Sequence, residues 1–297
     1  MDRLTQPLVL GVGEVLWDVY PDAEHFGGAP ANVALHAVAL GAAGALVSAV
    51  GCDARGAAAL ARLDAAGVDR AAVASLAEHP TGAVSVTLDA SGQPAYAFTP
   101  RSARDCIPWS AAVAAVSARA DAVCFGSIAQ RRDVSRATIQ RAVATARTAR
   151  WRLFDVNLRQ SFHDADVLTA SLRLANAVKL NEEELPVVAR LCGAEGSAPA
   201  EQVASLRARF DLALAVLTRG PAGALIVTET SCEEVAGVPT SVVDTVGAGD
   251  AFAAALLVGL LHGRPLTETA VHANRVAAYV CSQPGATPPI PRELQWH

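Results

Sequence analysis

The sequence predicts an α/β fold in which a parallel sheet carries helices on both faces, with a small β insert. Short apolar runs that end in glycine alternate with longer helical segments, the rhythm of βαβ units. One stretch of period-two alternation interrupts that rhythm. The composition of the 297 residues (52% hydrophobic, much of it alanine, 18% charged and 5% aromatic) suits close-packed helices on a sheet. A core of that size needs no covalent staples.

Taken in order, Leu8-Val9-Leu10-Gly11-Val12-Gly13 reads as a buried strand. Residues 32–40 read as a helix closed by Gly41, 45–50 as the next strand, and 54–66 as a helix ended by Gly67. Residues 81–88 alternate with period two, Asp89-Ala90-Ser91-Gly92 turns, and 94–98 run back, which signals a β-hairpin. Joined by residues 15–20, the hairpin would make a lid from segments about 14–26 and 80–100; an ordinary edge hairpin is the competing reading. The α/β pattern then resumes, with strands at 122–125, 152–155, 177–180, 213–218 and 224–228. Helices are expected at 134–148, 182–191, 200–210, 248–261 and 267–281. No internal repeat, long linker or low-complexity tract divides the chain, so residues 1–297 are expected to form one domain.

Several function classes are disfavoured. A net charge of −5 argues against a non-specific nucleic-acid binder. The six cysteines (Cys52, Cys106, Cys124, Cys192, Cys232, Cys281) form no CxxC pair, so free, buried thiols in a reducing compartment are expected, and zinc finds no spaced ligand set. Residues 1–7 carry Asp2 and Arg3 and do not read as a signal peptide. From Asn32 to Cys52 no charged residue appears, yet His36, Ser48, Gly41 and Gly44 make a buried helix–strand pair a better reading than a membrane span. A cytoplasmic protein is expected. Lys179 is the only lysine and no GxxxxGK[ST] loop precedes it, which excludes a Walker-type kinase and disfavours Schiff-base chemistry. Gly11-Val12-Gly13 would need a third glycine where Leu16 stands to be a dinucleotide fingerprint.

The strongest chemical signal is Asp244-Thr245-Val246-Gly247-Ala248-Gly249-Asp250, followed by the apolar run 251–261. Glycines leading into a helix let successive amides face one point, where the helix dipole adds partial positive charge. That arrangement suits the charge developing on a transferring phosphoryl group. Asp250, in the first turn, can aim a carboxylate at the same point and accept a hydroxyl proton. Helix capping would explain one of the two acids, but not both with the glycines between them.

Gly27-Gly28 precede another helix and let a ligand approach the backbone, and Asn32 offers both donor and acceptor. Alone, these would also fit a loop-to-helix cap. Asp155-Val156-Asn157-Leu158-Arg159 follows a predicted strand, at the end where α/β folds bind ligands, and the guanidinium fork of Arg159 matches oxyanions. In Lys179-Leu180-Asn181-Glu182-Glu183-Glu184 the consecutive acids would by themselves stabilise a helix dipole. Thr218-Arg219-Gly220-Pro221-Ala222-Gly223 would by itself be a β-turn.

Together these segments resemble the ribokinase-like (PfkB) carbohydrate kinases over essentially the whole chain. Asp244–Asp250 is similar to the family's C-terminal signature, and Gly27-Gly28-Ala29-Pro30-Ala31-Asn32-Val33-Ala34, closing with Leu40-Gly41, to its N-terminal one. The resemblance implies a ribokinase-like sandwich with a small β lid and an ATP-dependent kinase. It makes Asp250 the catalytic base and Gly247, Ala248 and Gly249 the anion hole. Asp18, Gly27, Gly28 and Asn32 take the sugar. Asn157, Arg159, Asn181 and Glu184 fall to the phosphates, with Glu184 reaching Mg2+ through water. Thr218, Gly220 and Gly223 lie beneath the nucleotide, with Asn274 and Gly285-Ala286 flanking the adenine. Asp244 and the Val246 carbonyl match a monovalent-cation site, making K+ activation conceivable, although Pro289 stands where a cation-binding relative can carry a hydroxyl. Lid hairpins in the family often pair between subunits, which implies a homodimer.

The motifs around Gly13-Glu14-Val15-Leu16-Trp17-Asp18 and Gly27–Asn32 look most like bacterial fructokinases. Fructose and ATP are therefore the expected substrates, with fructose 6-phosphate the product. The alternatives are 2-keto-3-deoxygluconate kinase, whose acidic substrate would want an arginine such as Arg101 or Arg104, then ribokinase or a nucleoside kinase. A catalytically silent sugar-binding sensor is the alternative from a different class.

Overall fold

The computed structural model describes residues 6–88, 94–160 and 162–296. The predicted turn at 89–92 and the first five residues lie outside the described residues. In chain order the elements are β1 (Leu8–Val12), β2 (Leu16–Val19), β3 (Glu24–Gly27), α1 (Ala29–Ala39), β4 (Ala43–Gly51), α2 (Ala54–Ala65), β5 (Asp69–Leu76), β6 (Gly82–Leu88) and β7 (Pro94–Phe98). Then follow α3 (Ala111–Arg119), β8 (Ala122–Phe125), α4 (Asp133–Thr145), β9 (Trp151–Asp155), α5 (Ala165–Leu174), β10 (Ala177–Asn181), α6 (Leu185–Cys192) and α7 (Pro199–Arg209). β11 (Leu214–Thr218), β12 (Ala224–Val227), β13 (Cys232–Val235), α8 (Ala248–Leu261) and α9 (Leu266–Cys281) complete the chain.

Nine strands form one sheet in the order β13-β12-β11-β10-β9-β8-β1-β4-β5. It is parallel except where β12 pairs with β11 and β13. From β1 the strand order runs outward in both directions, so a crevice opens at the carboxyl ends of β1 and β8. Alternate residues of β1 serve two cores. Leu8, Leu10 and Val12 pack with Val113, Ile139, Leu168, Val188 and Leu206 of α3 to α7, whereas Val9 packs with α1, α8 and α9. Helix α8 is buried all round from Ala251 to Leu260, as its unbroken apolar run requires. Gly259 lets α9 approach: a Cβ there would lie 2.6 Å from Thr269 Cγ2. Among the described residues no helix is long and apolar enough to cross a membrane.

A second sheet, β3-β2-β6-β7, grows from the carboxyl end of β1. β2 runs parallel to β6 and antiparallel to β3, and β6 and β7 form the hairpin. Phe26 and Val15 bury against α1 and α2, and Trp17 Nε1 donates to the Arg55 carbonyl at 3.1 Å, fastening this sheet to the body.

Some local readings change. Helix α1 begins at Ala29, because Gly28 (φ 113°) serves as its N-cap and Pro30 suits the first turn. Helix α6 begins at Leu185, because residues 182–184 form a turn held by the Asn181 side chain. β3, β5, β13, α3 and α5 were not expected as elements. All six cysteines are free, as expected, but Cys52 and Cys232 are exposed rather than buried.

Candidate active site

Gly247 caps helix α8, and its left-handed φ of 79° turns the chain into the helix. No side chain fits at Gly247: a Cβ would lie 2.3 Å from the Ala286 carbonyl oxygen. Asp244 holds the loop from both sides, its Oδ1 accepting from Val246 N at 3.0 Å and its Oδ2 from Gly285 N at 3.1 Å. Among the described residues the amides of Gly249 and Asp250 have no partner, as expected for the first turn of a helix.

Asp250 Oδ2 accepts a 2.8 Å hydrogen bond from Asn32 Nδ2. Half-buried, the Asp250 carboxyl is pushed up to about 6 by desolvation and then by the Asp155 charge; the Asn32 hydrogen bond and Lys179 oppose the rise. Lys179 Nζ donates to both Asp155 oxygens, at 2.8 and 3.0 Å, in a buried pair. It lies 3.3 Å from where a Cβ of Gly249 would be, so an ammonium sits directly under the glycine turn. Burial alone would depress the Lys179 ammonium, but Asp155, Glu184 and Asp250 outweigh it and raise it.

In the small sheet, Asp18 lies on β2 and Gly27 on β3, and a Cβ at Gly27 would lie 3.0 Å from Asp18 Oδ2. At Gly28 a Cβ would lie 2.4 Å from the Glu14 carbonyl oxygen, so backbone packing already forbids a side chain there. Asp18, His25, Phe26, Asp244, Val246 and Ala286 help to line a cavity of about 350 Å³. Burial raises the Asp18 and Glu14 carboxyls; Arg159 and Arg104 pull both down, alongside His25 for Asp18 and backbone amides for Glu14. Arg159 is exposed on the loop after β9, and its Nη1 donates to the Leu158 carbonyl at 2.9 Å.

Asn157 adopts a left-handed φ of 47°, and its carbonyl accepts from Ser127 Oγ. Glu184 is buried; its Oε1 accepts from Leu158 N and its Oε2 from Asn181 N, both at 2.9 Å, tying the loops after β9 and β10 together. Desolvation raises its carboxyl. Each oxygen keeps a further lone pair for water of a hydrated magnesium ion. Among the described residues no three His, Cys, Asp or Glu side chains gather as a metal cage, and Mg2+ held by phosphates and water needs none.

The remaining positions lie further along the sheet edge. Thr218 ends β11, with Oγ1 3.4 Å from the Leu180 carbonyl. Gly220 is exposed with open space where a Cβ would be, but at Gly223 a Cβ would lie 2.0 Å from the Val235 carbonyl oxygen. Asn274 gives its amide hydrogens to the Val235 and Ala236 carbonyls, so that end of its side chain fastens β13 to α9.

Sequence reasoning gave no role to Glu14, Asp155 or Lys179. Lys179 meets Asp155 through strand register, the two being paired across β9 and β10, and Glu14 lies in the turn between β1 and β2. The available signal was a lone lysine at a strand end beside Asn181 and Glu184.

A sequence model described as pfkB family carbohydrate kinase matches residues 20–293. A fructokinase from Salmonella typhimurium is 33% identical over 288 residues, covering 91% of this chain and 90% of its own. An uncharacterized sugar kinase from Pyrococcus horikoshii is similar in structure with a TM-score of 0.80 at 30% identity, over 94% of this chain and 93% of its own. A fructokinase from Vibrio cholerae with fructose, ADP and calcium bound gives a TM-score of 0.81 at 27% identity, over 98% and 96%.

Proposed function

Because the chain belongs to the pfkB family of carbohydrate kinases, we propose that it transfers the terminal phosphoryl group of ATP to a primary hydroxyl of fructose, giving fructose 6-phosphate. The observation that carries this reading is the hydrogen bond from Asn32 to Asp250, which joins the sugar-side motif to the transfer loop. A carboxylate titrating near 6 is ionised at neutral pH yet basic enough to take a proton as the hydroxyl oxygen attacks.

In this reading Asp18 and Asn32 orient the sugar, and Asp250 accepts the proton of the attacking hydroxyl. Amides of Gly247 and Gly249, reinforced by the helix dipole and by Lys179 below, receive the charge on the transferring group, whereas the expected Ala248 amide is already bonded to the Thr245 carbonyl at 3.3 Å. Arg159 neutralises phosphate oxygens from the opposite loop. Magnesium, when bound through water at Glu184, neutralises nucleotide phosphate charge. Thr218, Gly220, Gly223 and Asn274 would border the nucleotide. The small sheet acts as a lid, and its outer strands β3 and β7 offer edges for a homodimer contact. K+ beside Asp244 would raise turnover by stabilising the loop.

Fructose is favoured because similar proteins, at 33% and 27% identity, are fructokinases, the second with fructose bound. The test is ADP release with fructose, ribose, a nucleoside and 2-keto-3-deoxygluconate, with and without K+. Fructose should give the highest kcat/KM. A higher value for another sugar refutes fructose as the substrate. Sugar binding without turnover of any of them refutes the kinase reading and leaves a sensor.

A further inference from the structure

The two faces of the small sheet serve different ends. Trp17 and Phe26 are partners across β2 and β3, and their rings meet edge to face at 5.7 Å. That face anchors the sheet to α1 and α2. Asp18 and His25, the next partners in register, therefore project from the opposite face. Both line the cavity of about 350 Å³, whose other wall is built by Asp244 and Val246 of the transfer loop with Gly285 and Ala286. His25 thus shares one open space with Asp18 and with the loop that leads to Asp250.

Directly opposed residues on antiparallel strands have β-carbons about 4.5–5.5 Å apart, close enough for a carboxylate and an imidazole to join. These two do not. No hydrogen bond or ion pair links them, and among the described residues neither ring nitrogen of His25 has a hydrogen-bond partner. Asp18 turns Oδ2 toward Gly27, where the missing side chain leaves room. The His25 ring instead meets the Tyr20 ring edge-on at 5.4 Å, and Tyr20 lines the same cavity.

The separation leaves a carboxylate that accepts beside an imidazole that can donate, with the cavity in front of both. A hydroxyl group suits that gap, because it can donate to Asp18 and accept from His25 at once. The other ionisable acids lining the cavity are Asp22 and Asp244, and no lysine or arginine lines it. An acid group of a ligand would meet three carboxylates there.

We propose that His25 is a sugar-selecting residue: with Asp18 it brackets one hydroxyl of a neutral sugar, different from the hydroxyl that Asp250 deprotonates. The inference rests on the kinase reading above and adds to it a residue outside both signature motifs.

The experiment uses the full chain with His25→Phe, which keeps a ring against Tyr20 but no polar atom, and His25→Gln, which keeps a donor and an acceptor. It measures ADP release with fructose, ribose and 2-keto-3-deoxygluconate, calorimetric binding of the same sugars, and thermal unfolding. For the neutral sugar that the native protein turns over best, His25→Phe should raise KM and Kd about threefold to tenfold, the worth of one hydrogen bond. The change in kcat should be smaller and the KM for ATP unchanged. His25→Gln should lose less. The sugar-free melting temperature should not move, because His25 is exposed. Unchanged sugar KM and Kd in His25→Phe overturn the proposal and leave the kinase reading standing. Equal rises in the KM values for sugar and ATP, or a lowered sugar-free melting temperature, also overturn it by making His25 a structural part of the small sheet. A native kcat/KM that is highest for the sugar acid overturns it as well. If His25→Phe does not fold, His25→Gln decides: a raised sugar KM supports the contact and an unchanged one refutes it. No turnover and no binding of any sugar by the native chain removes the kinase reading, and this inference with it.

Discussion

Replacing Asp250 with Asn should have two opposite effects, one on chemistry and one on stability. The substitution keeps the shape of the side chain and leaves Asn32 a carbonyl to bond, but removes the carboxylate proposed to accept the hydroxyl proton. A general base contributes about 10²–10⁴-fold, so kcat with saturating fructose and ATP should fall by at least that factor while sugar and ATP affinities stay close to native. The free protein, however, should become more stable. The Asp250 carboxyl moves from 3.8 to about 6 on folding, which at 1.36 kcal/mol per pH unit corresponds to roughly 3 kcal/mol lost when it is ionised in both states. With a raised folded value, the folded state holds the proton more tightly. The loss is therefore complete above about pH 6 and shrinks by about 1.4 kcal/mol for each unit below it, down to about pH 4.

The variant should accordingly melt a few degrees above the native protein near pH 8, with the difference fading toward pH 4. ADP release and ligand-free thermal unfolding at the two pH values measure both effects. A kcat within tenfold of native refutes the base assignment. A variant that melts lower near pH 8 refutes the argument that the site holds its carboxylate at a cost to stability.

Asn32→Leu removes the hydrogen bond that lowers the Asp250 value; because a bond to a charged group is worth about 1.5–3 kcal/mol, the acid limb of the kcat/KM profile should move up by about one to two pH units, and an unmoved limb would separate Asn32 from the base. Lys179→Met leaves Asp155 buried and unpaired and should destabilise the protein by about 3–5 kcal/mol in denaturant unfolding. Adding Asp155→Asn should recover most of that loss, and a double variant no more stable than the single one contradicts the pairing. Asp18→Ala should weaken fructose binding by calorimetry about tenfold or more, since an ionised carboxylate accepts hydroxyl protons strongly; unaltered affinity would take Asp18 out of the site.

The transfer loop and the glycine pair were legible because each is local in sequence. Glycines before a helix announce a close backbone approach whatever surrounds them. Lys179, Asp155 and Glu14 were not legible, because their meaning depends on which strands are neighbours. Lys179 meets Asp155 only through the register of β9 and β10. Arg104 could be named as a candidate, but only burial distinguishes it from Arg101. Helix α5 was missed despite a usable signal, Asp164 capping at Val167 N with Leu168 and Leu172 one turn apart. Alanine-rich α3 offered less contrast between faces.

The glycines themselves turn out to serve the protein before they serve a ligand. At Gly28 a Cβ would collide with the Glu14 carbonyl, and at Gly247 with that of Ala286. Helix α1 spans these two contacts: Asn32 bonds Asp250, and one turn on, His36 Nε2 bonds the Ala286 carbonyl at 2.9 Å. Burial pushes His36 down to about 4, so that bond comes from a neutral ring and does not switch near neutral pH. The Gly27–Gly28 turn and the Gly247 turn are therefore fixed to one helix and to each other. A side chain at either glycine would displace a backbone that positions the opposite end of the site, and sugar affinity and phosphoryl transfer would fail together.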